Sequence, residues 1–96
     1  MPPRILDRIR APIRNAAYDM TSHAVEEMAE DEFDIIDVEA SILRGRLVKT
    51  ERSDPRGTKY TVHGTASDGT TLIGTVGRFT IPGRYLIITV YEVTGP

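Results

Sequence analysis

The chain has 96 residues, 40% hydrophobic and 27% charged, with no cysteine and a formal net charge of −2. A chain of this length buries only about 60–65% of the surface its unfolded form exposes, which allows one domain and one modest core and excludes a two-lobed enzyme closed around a large cofactor. The absence of thiols excludes disulfides, cysteine nucleophiles and thiolate metal sites, and no apolar run approaches a membrane span or a signal-peptide core, so a soluble cytoplasmic protein with no membrane partner is expected.

Charge is segregated along the chain. Residues 20–43 hold eight Asp and Glu and no Lys or Arg, while Arg4, Arg8, Arg10 and Arg14 come before them and eight of the chain's twelve bases come after. An acidic helical stretch therefore sits beside a basic remainder able to attract phosphate. The plainer reading is a solvated helix face next to ordinary surface bases.

The first predicted element is a short amphipathic helix in PPRILDRIR. Ile5, Ile9 and Ile13 recur every four residues, Pro2 and Pro3 suit its entrance, and Pro12 is expected to end or kink it. Residues 1–16 read as an appended helical arm, and residues 17–96 as the domain proper. SHAVEEMAED is the second helix, with Thr21 or Ser22 as N-cap and Ala24, Val25 and Met28 as its apolar stripe. DIIDVEASILRG is the third. Asp34 is its N-cap candidate, Asp37 lies near the positive dipole end, Ile35, Ile36, Val38, Ala40, Ile42 and Leu43 form a wide buried stripe, and Gly45 suits a left-handed stop.

Everything after Gly45 reads as β. RLVKTER is a strand and SDPRG a turn. TKYTVHGTA alternates, with Tyr60 and Val62 on one face and Thr61, His63 and Thr65 on the other. Asp68–Gly69 marks a hairpin, TLIGTVGRF follows with Gly74 and Gly77 as signs of a bulge or a close approach, and Pro82–Gly83 suits a type II turn. YLIITVYEV is almost continuously apolar and should be a central strand with Tyr85, Ile87, Thr89 and Tyr91 on one face. The expected fold is α+β, with N-terminal helices packed on a four-stranded, mainly antiparallel sheet.

SHAVEEMAEDEFDIIDVEASILRGRLV, then KYTVHGTASDGTTL, then LIITVYEV, resembles the DUF4258 family in the same order. The shared features are an HA dipeptide opening a helix, a D-V helix ending in Gly before a strand, a strand ending in Gly before a D-G turn, and a final ITVYE strand. The resemblance implies a fold related to the RelE/ParE-type toxins, small ribonucleases that work without metal. It also implies a small zinc-finger partner of antitoxin type. Many relatives carry arginine at the position of Glu27, so this chain reverses a charge there.

Cleavage of RNA without a metal needs a base for the ribose 2′-OH, a cation for the phosphorane and an acid for the leaving 5′-oxygen. His63 is the leading candidate, since Lys59, Thr61, His63 and Thr65 share a strand face; the alternative is an exposed surface histidine. His23 is the second, and its structural alternative is an anchor between helix and sheet through a backbone carbonyl. The resemblance to RelE-type folds adds Lys59, Arg78 and Tyr91 as supporting catalytic groups. Arg44, Arg46, Arg84 and Tyr85 are the candidate substrate-binding groups. A zinc site would require His23, Glu27 and His63 to converge, and without cysteine or HExxH neither a metal nor another cofactor is expected. Two functions result. One is a metal-independent endoribonuclease of toxin–antitoxin type that cleaves mRNA by 2′-OH attack, with RNA and an antitoxin-type zinc-finger protein as partners. The other is a non-catalytic protein-binding module that keeps the fold.

Overall fold

Three helices and five strands make up the described part of the chain. The computed structural model describes residues 4–94; Pro2 and Pro3, expected at the entrance of the first helix, lie outside it. The elements run α1 (Ile5–Arg14), β1 (Tyr18–Met20), α2 (Ser22–Glu30), α3 (Ile35–Arg44), β2 (Arg46–Glu51), β3 (Lys59–Thr65), β4 (Leu72–Ile81) and β5 (Arg84–Glu92). No helix among the described residues is long and apolar enough to cross a membrane.

The sheet corrects the expectation of four strands. Its order is β1-β5-β4-β3-β2, and β1 joins β5 in parallel, with Tyr18, Asp19 and Met20 opposite Tyr85, Leu86 and Ile87. A three-residue strand is too short for any alternation to be read from sequence. The other pairs are antiparallel, as expected of strands joined by short loops. Thr21 then carries the chain away from β1. Its amide bonds the Ile87 carbonyl and its hydroxyl the Ile88 carbonyl, at 3.0 and 2.8 Å. The same hydroxyl caps α2 by accepting from Ala24 N–H. Helix α2 thereby lies along the part of β5 that β1 leaves uncovered, and Glu27 Oε1 accepts the Val90 N–H at 3.0 Å. A carboxylate thus closes a strand edge that would otherwise expose an unpaired donor.

Helix α3 opens with a reciprocal capping box, Asp34 accepting from Asp37 N–H and Asp37 from Asp34 N–H. Its buried residues Val38 and Ile42 join Ile9 and Ile13 of α1 and Val62, Ile73, Tyr85, Ile87 and Val90 of the sheet in one core. The N-terminal helix is thus packed into that core, and it continues to Arg14, past Pro12. Arg10 ties it to the end of α3 by donating to the Gly45 carbonyl at 2.8 Å. The stripes are narrower than expected: Val25, Ile35 and Ile36 are exposed. Gly45 is extended, not left-handed. A Cβ there would run into the Ser41 and His63 carbonyls, so close approach of α3 to β3 is what requires glycine.

Helices α1 and α3 cover one sheet face. The opposite face carries Lys49, Glu51, Lys59, Thr61, His63, Arg78 and Tyr91 and faces away from that core.

Candidate functional site

A single cross-strand row organises the open face. Arg46 of β2 is opposite His63 of β3, His63 is opposite Gly74 of β4, and Gly74 is opposite Tyr91 of β5. Strands β3 and β5 stand two spacings apart, about 10 Å, so Tyr91 reaches His63 only by laying its ring across β4. Gly74 permits this, since a Cβ there would overlap the Tyr91 ring. The phenol oxygen then meets His63 Nε2 at 2.8 Å, and the two rings meet edge to face with centroids 5.8 Å apart. Burial pushes the Tyr91 phenol above its usual range, against the opposing pull of the Lys49 ammonium. Tyr91 therefore holds its proton at neutral pH, and its phenol is the donor of this bond in the tautomer that carries the imidazole proton on Nδ1.

A break in strand phase separates the two tyrosines that were expected together. The register of β4 on β5 shifts at Val76/Gly77: Val76 faces Thr89, but Gly77 faces Ile87, leaving Ile88 as an extra residue. An extra residue reverses the faces of everything before it. Tyr91 consequently stands on the open face, whereas Tyr85 is 1% exposed in the helix-covered core, its ring over Gly77 and edge to face with Phe79. The substrate-binding role expected of Tyr85 is overturned by that burial. Its phenol, also pushed up by burial, has no hydrogen-bond partner among the described residues.

The remaining candidates fall into separate groups. Arg44, Arg46, His63 and Thr65 line one cavity of about 240 Å³. Arg44 is fixed there by donating to the Ala66 carbonyl at 3.0 Å. Arg46 has no carboxylate within ion-pair distance among the described residues. Lys59 and Arg78 line a different cavity, with Asp54 and Arg56. Arg84 binds Asp19 through two guanidinium nitrogens at 2.7 and 2.8 Å, pinning β1 to β5. His23 is 67% exposed and its Nε2 lies 3.4 Å from Glu27 Oε1. No hydrogen bond joins it to a backbone carbonyl or to the His63–Tyr91 pair among the described residues, so the anchoring role is not found. No group of three His, Asp or Glu among the described residues is arranged to hold a metal ion.

Sequence reading missed Gly74 as a site residue and Asp54 as a counter-ion. Gly74 carried a visible signal, a glycine inside a strand whose neighbour supplies a tyrosine. Asp54 carried only the D-P-R-G turn pattern.

No curated protein and no solved structure matches the chain. The family model of DUF4258, a domain of unknown function, matches residues 20–92. The match contains the whole Arg46–His63–Gly74–Tyr91 row and leaves out α1. With most of its length matched, the chain belongs to the DUF4258 family.

Proposed function

We propose that this protein is a metal-independent endoribonuclease of toxin type with a RelE/ParE-like fold, acting on mRNA in the cytoplasm and held in check by a small zinc-finger partner. The observation that carries the reading is the His63–Tyr91 bond at 2.8 Å on an open sheet face, in one cross-strand row with Arg46, which has no carboxylate within ion-pair distance among the described residues. These are the parts a 2′-OH attack requires. The ribose 2′-OH passes its proton to the Tyr91 oxygen as the phenol proton moves to His63 Nε2. The 2′-oxygen attacks phosphorus, and Arg46 neutralises charge on the phosphorane. The imidazolium then gives its Nδ1 proton to the departing 5′-oxygen. The products are a 2′,3′-cyclic phosphate and a free 5′-OH, with His63 neutral in its other tautomer and Tyr91 protonated as at the start.

One observation favours the protein-binding module instead. Several bases of the open face are already neutralised: Lys49 by Glu51 at 2.8 Å, Lys59 by Glu51 and Asp54 at 3.4 and 3.5 Å, and Arg84 by Asp19. Expression in a bacterial host separates the readings. The nuclease arrests growth, and His63→Ala or Tyr91→Phe relieves the arrest at equal soluble protein level. A binding module leaves growth unchanged in all three cases.

A further inference from the structure

The second cavity of the open face lies outside the catalytic row. It encloses about 110 Å³ and is lined by Thr21, Asp54, Arg56, Lys59, Arg78, Leu86 and Ile88. Three cations and one carboxylate among these residues leave an excess of positive charge. Ligand pockets for drug-sized molecules run to about 300–1,000 Å³, so this cavity admits a single tetrahedral anion and not a nucleoside.

Its one acid belongs to the β2–β3 loop. Asp54 accepts from the Arg56 backbone N–H at 2.8 Å, and its carboxylate lies within 3.4 Å of the Arg56 guanidinium and 3.5 Å of the Lys59 ammonium. The side chain is only 12% exposed. Arg78, on the neighbouring strand, has no carboxylate within ion-pair distance among the described residues. The Asp54 carboxylate therefore occupies, from within the chain, the place at which an external oxyanion would meet Arg56 and Lys59, the latter also paired at 3.4 Å with Glu51 outside the cavity lining, while Arg78 beside it has no carboxylate within ion-pair distance among the described residues. Such a loop carboxylate stands in for the ligand and competes with it.

We propose that Arg56, Lys59 and Arg78 form a second phosphate subsite, closed in the free protein by Asp54 and opened when an RNA phosphodiester displaces that carboxylate. The assignment to RNA rests on the nuclease reading above. Lys59 and His63 lie four residues apart on β3, roughly 13 Å along the strand, a distance that a short single strand covers between the cleaved phosphate and a neighbouring one. The subsite then sets the register of the strand over His63 and Tyr91. It also restrains the enzyme, because the loop must move before substrate is fully held.

Amide chemical-shift titration of the intact protein tests this, first with inorganic phosphate alone. Phosphate is expected to shift Arg56, Lys59, Arg78 and Thr21. Asp54→Asn keeps an acceptor for the Arg56 N–H but removes the competing charge, and should bind phosphate roughly fivefold more tightly, the effect of one charge at contact range on a solvated surface. Arg78→Ala should abolish the shifts, and Arg56→Ala, at a 75% exposed side chain where folding is not at risk, should weaken them. Absence of shifts in the wild type, equal affinity of wild type and Asp54→Asn, or full binding by Arg56→Ala would each overturn the subsite. The RNA assignment is then tested with an oligonucleotide made uncleavable by a 2′-deoxy linkage, which should move Arg78 and Tyr91 signals together. If it moves Tyr91 alone, the subsite does not serve RNA. If phosphate binds in the cavity but the oligonucleotide moves neither group, the anion site survives, and both its RNA assignment and the nuclease reading fail.

Discussion

Gly74→Ala and Gly77→Ala make the same chemical change three residues apart, and their costs should differ about threefold. Each adds a methyl where a tyrosine ring lies, Tyr91 over Gly74 on the open face and Tyr85 over Gly77 in the core. Tyr91 is only partly buried, so its ring can swing toward solvent. The loss is one side-chain hydrogen bond, about 1 kcal/mol, and an edge-to-face contact of about 0.5–1.5 kcal/mol. The smaller backbone entropy of alanine returns about 0.5–1 kcal/mol. The net change for Gly74→Ala is about 1 kcal/mol, or about 4–8 °C in Tm for a domain of this size. Tyr85 is 1% exposed and has no route out that keeps the core intact. Overpacking costs about 1–3 kcal/mol and expelling a buried aromatic about 3–5 kcal/mol, so Gly77→Ala should lose about 3 kcal/mol and roughly 12–24 °C. Thermal and urea unfolding measure both. NMR of the His63 imidazole adds a site-specific readout, since only Gly74→Ala should release Nε2 from the phenol. Equal Tm losses, or a His63 signal unchanged in folded Gly74→Ala, would refute the reasoning.

Three further outcomes are expected. Glu27→Ala strips the Val90 N–H of its acceptor and should destabilise by about 1–2 kcal/mol, with faster hydrogen exchange at Val90; Glu27→Gln, which keeps an acceptor, should lose less. Asp37→Ala removes both half of the α3 capping box and the Ser67 contacts, and denaturant unfolding should register about 1–2 kcal/mol. Stability should be level above about pH 5 and fall toward pH 2. Asp68 is held down to about 2 by bonds from the Thr71 hydroxyl and the Thr70 and Thr71 amides, and Asp54 to about 2 by bonds from Arg56. Each folded-state value lies below that of the unfolded chain, so the stabilisation is present above the unfolded value and is lost as these groups protonate. Asp68→Asn should flatten that acid limb in a urea-midpoint series against pH.

What could be read in the sequence was whatever is coded locally. The Asp34 cap, the cap of α2 at Thr21 or Ser22, the alternation of β3 and the turn at Pro82–Gly83, where Gly83 has φ 79°, all depend on neighbours within a few residues. The α+β class and His63 on the polar face of its strand followed from these. The pairings that complete the site are non-local. Strand β1 exists because β5 offers an edge beside it, and the extra residue at Ile88 arises from the register of two strands, which single-strand periodicity cannot report. That one residue moves Tyr85 into the core and leaves Tyr91 opposite Gly74. The carboxylate of Glu27 likewise has a structural use as the cap of the β5 edge, visible only once α2 is seen lying along that strand.

RNA cleavage by the His63–Tyr91 pair is the activity proposed for this protein. The most direct measurement is the single-turnover cleavage of an end-labelled mRNA by the purified protein with EDTA present, followed by analysis of the new ends. The expected ends are a 2′,3′-cyclic phosphate and a free 5′-OH, with cleavage slowed about 10²–10⁴-fold by His63→Ala and strongly slowed by Tyr91→Phe and by folded Gly74→Ala. Intact RNA at high protein concentration, on and off the ribosome, or cleavage that persists unchanged in His63→Ala, would contradict it.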